Sequence, residues 1–169
     1  TASDCPDAIN VCTDLSFCID PNGSGLINEI PPLGSLGNPD NNNPGGSGNF
    51  GCLRASPVPE KNSTWMVINI STTGNLEFTL GDDVTDNCYD WIMYPWSVNA
   101  CTDIPANLVA PVRCNWNAPC DSYTGIAGIV PVGGDAGNFE PPIPVTCGDR
   151  FILVFSNWSS ATETVPLQF

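Results

Sequence analysis

Hydrophobic positions along this chain follow two different rhythms. In one set of segments they run unbroken. "TWMVINI" from Thr64 is a continuous β-rich run, and "RFILVFSNW" from Arg150 is apolar on both faces, as a central strand should be. In a second set they alternate. "NLEFTL" places Leu76, Phe78 and Leu80 on one face and Glu77 and Thr79 on the other. "TVPLQF" turns Val165, Leu167 and Phe169 inward, and Pro166 marks it as an edge or bulged strand. "YDWIMYPW" reads as a half-buried aromatic strand, with Trp91 and Met93 facing opposite to Ile92 and Tyr94. "NLVAPVRC" reads as an interrupted strand, and residues 1–20 as an opening strand held by a local crosslink.

Turn signals such as "TTGN" (72–75) and "CGD" (147–149) separate these runs. Gly and Pro, 16 and 17 in number, are scattered so evenly that no window holds a helical period. Residues 31–51, "PPLGSLGNPDNNNPGGSGNFG", cannot bury enough apolar surface to form an element and read as a long exposed loop. Many short strands joined by Gly/Pro loops predict an all-β fold, an antiparallel, jelly-roll-like β-sandwich. The length, 169 residues, suits one domain spanning 1–169.

Cysteine usage adds the crosslinks. There are nine Cys and no His: Cys5, Cys12, Cys18, Cys52, Cys88, Cys101, Cys114, Cys120 and Cys147. Zinc thiolate sites favour sulfurs two residues apart, and no such pair occurs, so structural disulfides in an extracellular or cell-surface setting are the reading. Cys101 and Cys114 flank a loop of ordinary length, and Cys120 competes for Cys114. Cys5 with Cys12, and Cys18 with Cys52, are compatible with their spacing, but connectivity does not follow from sequence. Nine is odd, so one thiol is left over, with Cys120 the candidate: either a buried free Cys or a covalent link to a neighbouring subunit.

Charge narrows the partners. Eighteen acids stand against Arg54, Lys61, Arg113 and Arg150, a formal net charge of -14. Such a surface repels nucleic acid and anionic lipid. No apolar run is long enough for membrane insertion. The chain starts at Thr1 without initiator Met or signal peptide, which reads as a mature or trimmed product.

The ordered pieces Cys52-Leu53, "KNSTWMVINI", "GNLEFTL", "DNCYDWIMY", Cys101, "PVRCNW", "FEPPIPVTCGDRFILVFSNWSS" and "PLQF" carry a resemblance. Together they resemble a β-sandwich module of secreted and cell-surface Bacteroidetes proteins. That module often lies upstream of gliding-motility-associated or type IX secretion C-terminal domains. The match covers most of residues 50–169. It implies adhesion or surface-scaffold work and brings no catalytic residue. Cys101 and Cys114 fit the family's Cys pair. Cys88 stands where the family has an Asp and Cys147 where it usually has Ala, and these two departures suggest a Cys88–Cys147 bond.

Other candidates come from local chemistry. Asp82, Asp83, Asp86 and Asp90 crowd one acidic stretch, where they form either a solvated loop or oxygen ligands for Ca2+. "DPNGSGLINE" echoes half of a calcium loop, but Pro31 stands where the bidentate Glu belongs and Glu29 comes two positions early. Trp96 and Trp116, in or beside loops, are the candidate sugar-stacking surfaces, set against ordinary core packing. Asn22, Asn62, Asn69 and Asn157 open glycosylation sequons. Without His, neither a Ser-His-Asp triad nor a His metal site can form. A carboxylate-based hydrolase would need two acids in distinct environments, and the sequence singles out no such pair.

These observations predict a non-catalytic extracellular surface module with an adhesion or structural-assembly role. Its partners would be other copies of itself or neighbouring surface proteins. The alternatives are a subunit of an extracellular filament and a carbohydrate-binding module that takes glycans.

Overall fold

The computed structural model describes residues 2–12, 16–19, 25, 27, 29–30, 60–82, 88–117, 120, 123–159 and 164–169. The strands are β1 (Ile9–Val11), β2 (Ser16–Ile19), β3 (Thr64–Asn69), β4 (Gly74–Leu76), β5 (Phe78–Leu80) and β6 (Tyr89–Pro95). They continue with β7 (Arg113–Asn115), β8 (Thr124–Ile126), β9 (Phe139–Glu140), β10 (Ile143–Val145), β11 (Arg150–Asn157) and β12 (Val165–Gln168). One sheet, A, has the order β1-β3-β11-β6-β7, and a second, B, the order β2-β12-β5-β8-β9. A small β10-β4 pair stands apart. The protein is a disulfide-crosslinked β-sandwich. Pairing is antiparallel except for β1 against β3 and β8 against β9, which are parallel.

The interior lies between the sheets. Met66, Ile68, Trp91, Met93, Leu153 and Phe155 from sheet A meet Phe78, Leu80, Ile126, Val165 and Leu167 from sheet B in one cluster. Phe78 is its hub, with edge-on contacts to Trp91 and Phe155 at centroid distances of 5.1 and 5.9 Å. Sheet A has a second covered face. Trp65, Val67, Ile92, Tyr94, Ile152 and Val154 pack there against Cys5, Ile30, Ala100 and Ile104. The cover comes from a 3-10 turn at Cys5–Asp7, the segment around Ile30, and the short helix α1 (Ala100–Asp103). This explains the unbroken apolar runs. Strand β3 is apolar from Trp65 to Ile68 and β11 from Phe151 to Phe155 because both of their faces are buried there.

Several expectations change. The aromatic strand β6 is buried on both faces from Tyr89 to Tyr94, not half-buried, although Trp91/Met93 and Ile92/Tyr94 do take opposite faces. "NLEFTL" breaks at the exposed Glu77, where the chain leaves β4 and its β10 partner and joins sheet B as β5. The described residues among 1–20 make a 3-10 turn and two strands in different sheets instead of one strand. "NLVAPVRC" keeps only Arg113–Cys114 in a strand.

Strand β12 is interior, between β2 and β5, not at an edge. Its proline is tolerated because β5 ends at Leu80. On that side, past the end of β5, the Pro166 carbonyl accepts a hydrogen bond from the Gly81 N–H at 3.0 Å. Gly125 is obligatory in β8: its φ is +155°, and a Cβ there would collide with the Phe78 carbonyl oxygen of β5. Residues 31–51, predicted as a loop, lie outside the described residues.

Candidate functional site

The sulfurs fall into two groups. Cys5, in the 3-10 turn, bonds Cys101 in α1, 96 positions away. Both belong to the cover of sheet A, which brings them together. Cys88 bonds Cys120. Cys88 precedes β6 and Cys120 follows β7, and these strands pair with Trp91 opposite Asn115, so their adjoining ends meet. Cys114 is disulfide-bonded too and fully buried. Cys12, Cys18 and Cys147 carry free, exposed thiols.

This corrects the expected pairing. Cys88 and Cys147 do not join. The register sets Phe151 opposite Pro95 and Asn157 opposite Tyr89, so Cys147 lies beyond one end of β6 and Cys88 beyond the other. Seven strand residues separate those ends by about 20 Å, against the ~7 Å limit between the Cα atoms of a disulfide. Cys101 does not take Cys114, because Cys5 holds it. Cys5 does not take Cys12: Cys5 turns onto the outer face of sheet A, whereas Cys12 lies past the far end of β1. Cys18 is free, so it does not pair with Cys52, which lies outside the described residues. Cys120 is not the leftover thiol.

The acidic stretch is not gathered by the described residues. Asp82 is half-buried after β5, while Asp83 and Asp86 lie outside the described residues. Asp90 is drawn into sheet A, where its Oδ1 accepts a hydrogen bond from the Asn117 N–H at 2.9 Å. Its Oδ2 has no partner among the described residues, and burial pushes the carboxyl up to about 8. Among the described residues no set of three or more Cys, Asp or Glu is grouped to hold a metal ion. In the weaker calcium candidate, Glu29 is buried and accepts a hydrogen bond from the Cys5 N–H at 2.9 Å. Asp20, Asn22 and Ser24 lie outside the described residues.

Trp96 and Trp116 are both half-buried. The Arg150 guanidinium carbon sits 3.6 Å from the Trp96 ring centroid, so one face of this indole is covered by a cation. Of the sequon asparagines, Asn157 is fully buried. Asn69 is half-buried, donating to the Val11 carbonyl and accepting from Arg150 Nε.

Sequence reasoning missed two buried polar networks. In the first, the Glu29 N–H donates to Glu60 Oε2 at 2.9 Å, and Trp65 Nε1 donates to Glu60 Oε1 at 2.6 Å. Burial pushes Glu29 up to about 7, and Glu60, Asp4 and Asp7 push it the same way against the Cys5 hydrogen bond. Burial raises Glu60 as well. In the second, Trp91 Nε1 donates to Thr124 Oγ1, whose hydroxyl bonds Asn115 Oδ1 and the Asn138 carbonyl. Asn115 Nδ2 in turn donates to Glu140 Oε1 at 3.2 Å. Burial pushes Glu140 up to about 7. Each network joins residues far apart in the chain, so no local pattern announces it.

A cleft of about 310 Å³ opens where β3 runs out, beside the β10-β4 pair. Val11, Ile68, Leu76, Val145 and Phe169 form its apolar lining, with Asn69, Asn75 and Glu77 as polar members. Neither candidate Trp lines it.

No protein-family model matches the chain, and no curated protein matches it. Among solved structures, the surface-associated copper-binding protein CorA of Methylomicrobium album BG8 is similar at 8% identity and a TM-score of 0.37, over 95% of this chain and 97% of that one. A score that low carries no argument about this protein's fold or ligands.

Proposed function

We propose that the protein is an extracellular structural module that is joined covalently to further copies of itself or to neighbouring surface proteins. One observation carries this reading: beside closed disulfides, three thiols stand exposed and unbonded. Cys12 follows β1 of sheet A, Cys18 lies in β2 of sheet B, and Cys147 sits in the turn before β11. Val11 and Ile19 point into the shared core, so alternation turns their neighbours Cys12 and Cys18 outward from opposite sheets. Cys12 and Cys18, so placed, cannot reach one another across a sandwich about 10 Å thick without dismantling it. In an oxidising compartment they are consumed by partners outside the fold. More than one linking point per copy allows chains of copies as well as pairs. The resemblance to Bacteroidetes surface modules and the strongly acidic surface agree with work outside the cell.

The test is electrophoresis of protein purified under oxidising conditions, with and without reductant. A ladder that collapses on reduction is expected, together with its loss in the triple variant Cys12→Ser, Cys18→Ser, Cys147→Ser. A monomer under non-reducing conditions, or a mapped bond between any two of Cys12, Cys18 and Cys147 within one chain, overturns the reading.

A further inference from the structure

The first buried network lies where the N-terminal segment is fastened to sheet A. The fastening has four parts. The Trp65 N–H donates to the Ala2 carbonyl at 2.7 Å, and Ser63 Oγ donates to the Ser3 carbonyl at 3.0 Å. The Cys5 N–H donates to Glu29 Oε1, and Cys5 is bonded to Cys101. Glu29 is the hub. Its side chain holds the 3-10 turn, its backbone N–H is held by Glu60, and Glu60 is held by the Trp65 indole. Asp4 adds a further contact, its Oδ1 accepting from the Ile27 N–H at 3.0 Å.

Among the described residues, every charged group acting on Glu29 is acidic: Glu60 from the approach to β3, and Asp4 and Asp7 from the turn. Tyr94 of β6 also faces this cluster, its hydroxyl raised by burial and by Glu60. Glu29 Oε2 is buried with no hydrogen-bond partner among the described residues. A buried carboxylate with one bare oxygen and three acidic neighbours is tolerable as the neutral acid and costly as the anion.

We propose that Glu29 and Glu60 form a pH-released clasp, which in the protonated state seats the N-terminal segment on sheet A and shields the Cys5–Cys101 disulfide, and which loosens as the medium becomes alkaline. The sign follows from the direction of the shift. Glu29 binds its proton more tightly when the segment is seated than when it is free. The seated state therefore has its full advantage below the ordinary Glu range and loses it as pH rises through about 7. Opening would expose the Trp65 and Tyr94 edge and admit reductant to the disulfide that crosses the cover.

The experiment follows the Cys5–Cys101 disulfide in the intact protein, with oxidised glutathione in the same reaction as the reference. Cys88–Cys120 does not serve as the reference, because the buried Asp90 carboxyl close to it titrates in the same range. A water-soluble phosphine reduces both Cys5–Cys101 and glutathione, and alkylation with mass spectrometry reads each rate from about pH 6 to about pH 9. The expected result is a rate ratio, Cys5–Cys101 over glutathione, that rises by up to about tenfold per pH unit above the Glu29 titration. Hydrogen exchange corrected for intrinsic rates should show residues 2–8 losing protection over the same range while β11 keeps it. Glu29→Gln, neutral at every pH, should flatten both profiles. A ratio independent of pH in the unmodified protein overturns the proposal without any variant, and so does a Glu29→Gln profile that follows the unmodified one.

Discussion

The two sheets of this sandwich are built on different principles. Sheet A is covered on both sides: its inner face meets sheet B and its outer face lies under the N-terminal turn, the Ile30 segment and α1. Sheet B keeps one face open over β5 and β12, where Phe78, Leu80, Val165 and Leu167 are buried while Thr79 and Pro166 are only partly covered and Gln168 is exposed. The difference lies in what each strand must exclude from water. A strand covered twice has no polar positions to spare, and a strand covered once alternates. A run such as "FILVF" is therefore a statement about layers. The outer layer itself has little regular structure and relies on a crosslink and on buried hydrogen bonds.

If sheet A is covered twice, its two faces should be equally intolerant of truncation. Ile152→Ala, on the outer face, and Leu153→Ala, on the inner face, should each lower stability by about 2–5 kcal/mol in denaturant unfolding. An outer-face loss below about 1 kcal/mol would reduce the cover to a loose flap. Next in size, the double variant Cys5→Ser, Cys101→Ser should lose about 2–4 kcal/mol, and hydrogen exchange should rise in α1 and residues 2–8 before it rises in sheet B.

A smaller effect is expected from pH. Asp90 and Glu140 are both raised by burial, so the folded state holds their protons where the unfolded state has released them. Stability from this source is greatest below their ordinary range and falls as pH rises through about 7 for Glu140 and about 8 for Asp90. The urea midpoint should fall from about pH 5 to about pH 8, and Asp90→Asn should remove part of that fall. A midpoint that climbs over that range would contradict it. The smallest effect belongs to the open face of sheet B, where Thr79→Ala should change stability by no more than about 0.5 kcal/mol.

Legibility followed range. Alternation in "NLEFTL" and "TVPLQF", and the doubly apolar β11, were readable because side-chain direction in a strand is fixed by the nearest neighbours. The break at Glu77 was not, since the residues on either side keep the same alternation while their partners change from β10 to β8 and β12. The interior place of β12 was hidden by Pro166, whose tolerance depends on where another strand stops. Disulfide connectivity depends on which segments share a face, and Cys5 and Cys101 meet only because both roof sheet A. The thiols were countable from sequence, but which of them stay exposed was not. The carboxylate hub at Glu29 had no local signature, because its contacts reach to Cys5 and Glu60.

The Cys5–Cys101 bond also has a mechanical meaning. Once the hydrogen bonds of Ala2 and Ser3 to Trp65 and Ser63 give way, a pull on the chain ahead of Cys5 passes through the sulfur bridge into the helix at Ala100–Asp103, by-passing the covalent chain between. The 96 positions it spans correspond to about 330 Å of slack that tension cannot pay out while the bond is intact. Two β-strands at the beginning of the chain and the four that follow before residue 101 are thus taken off the line of force.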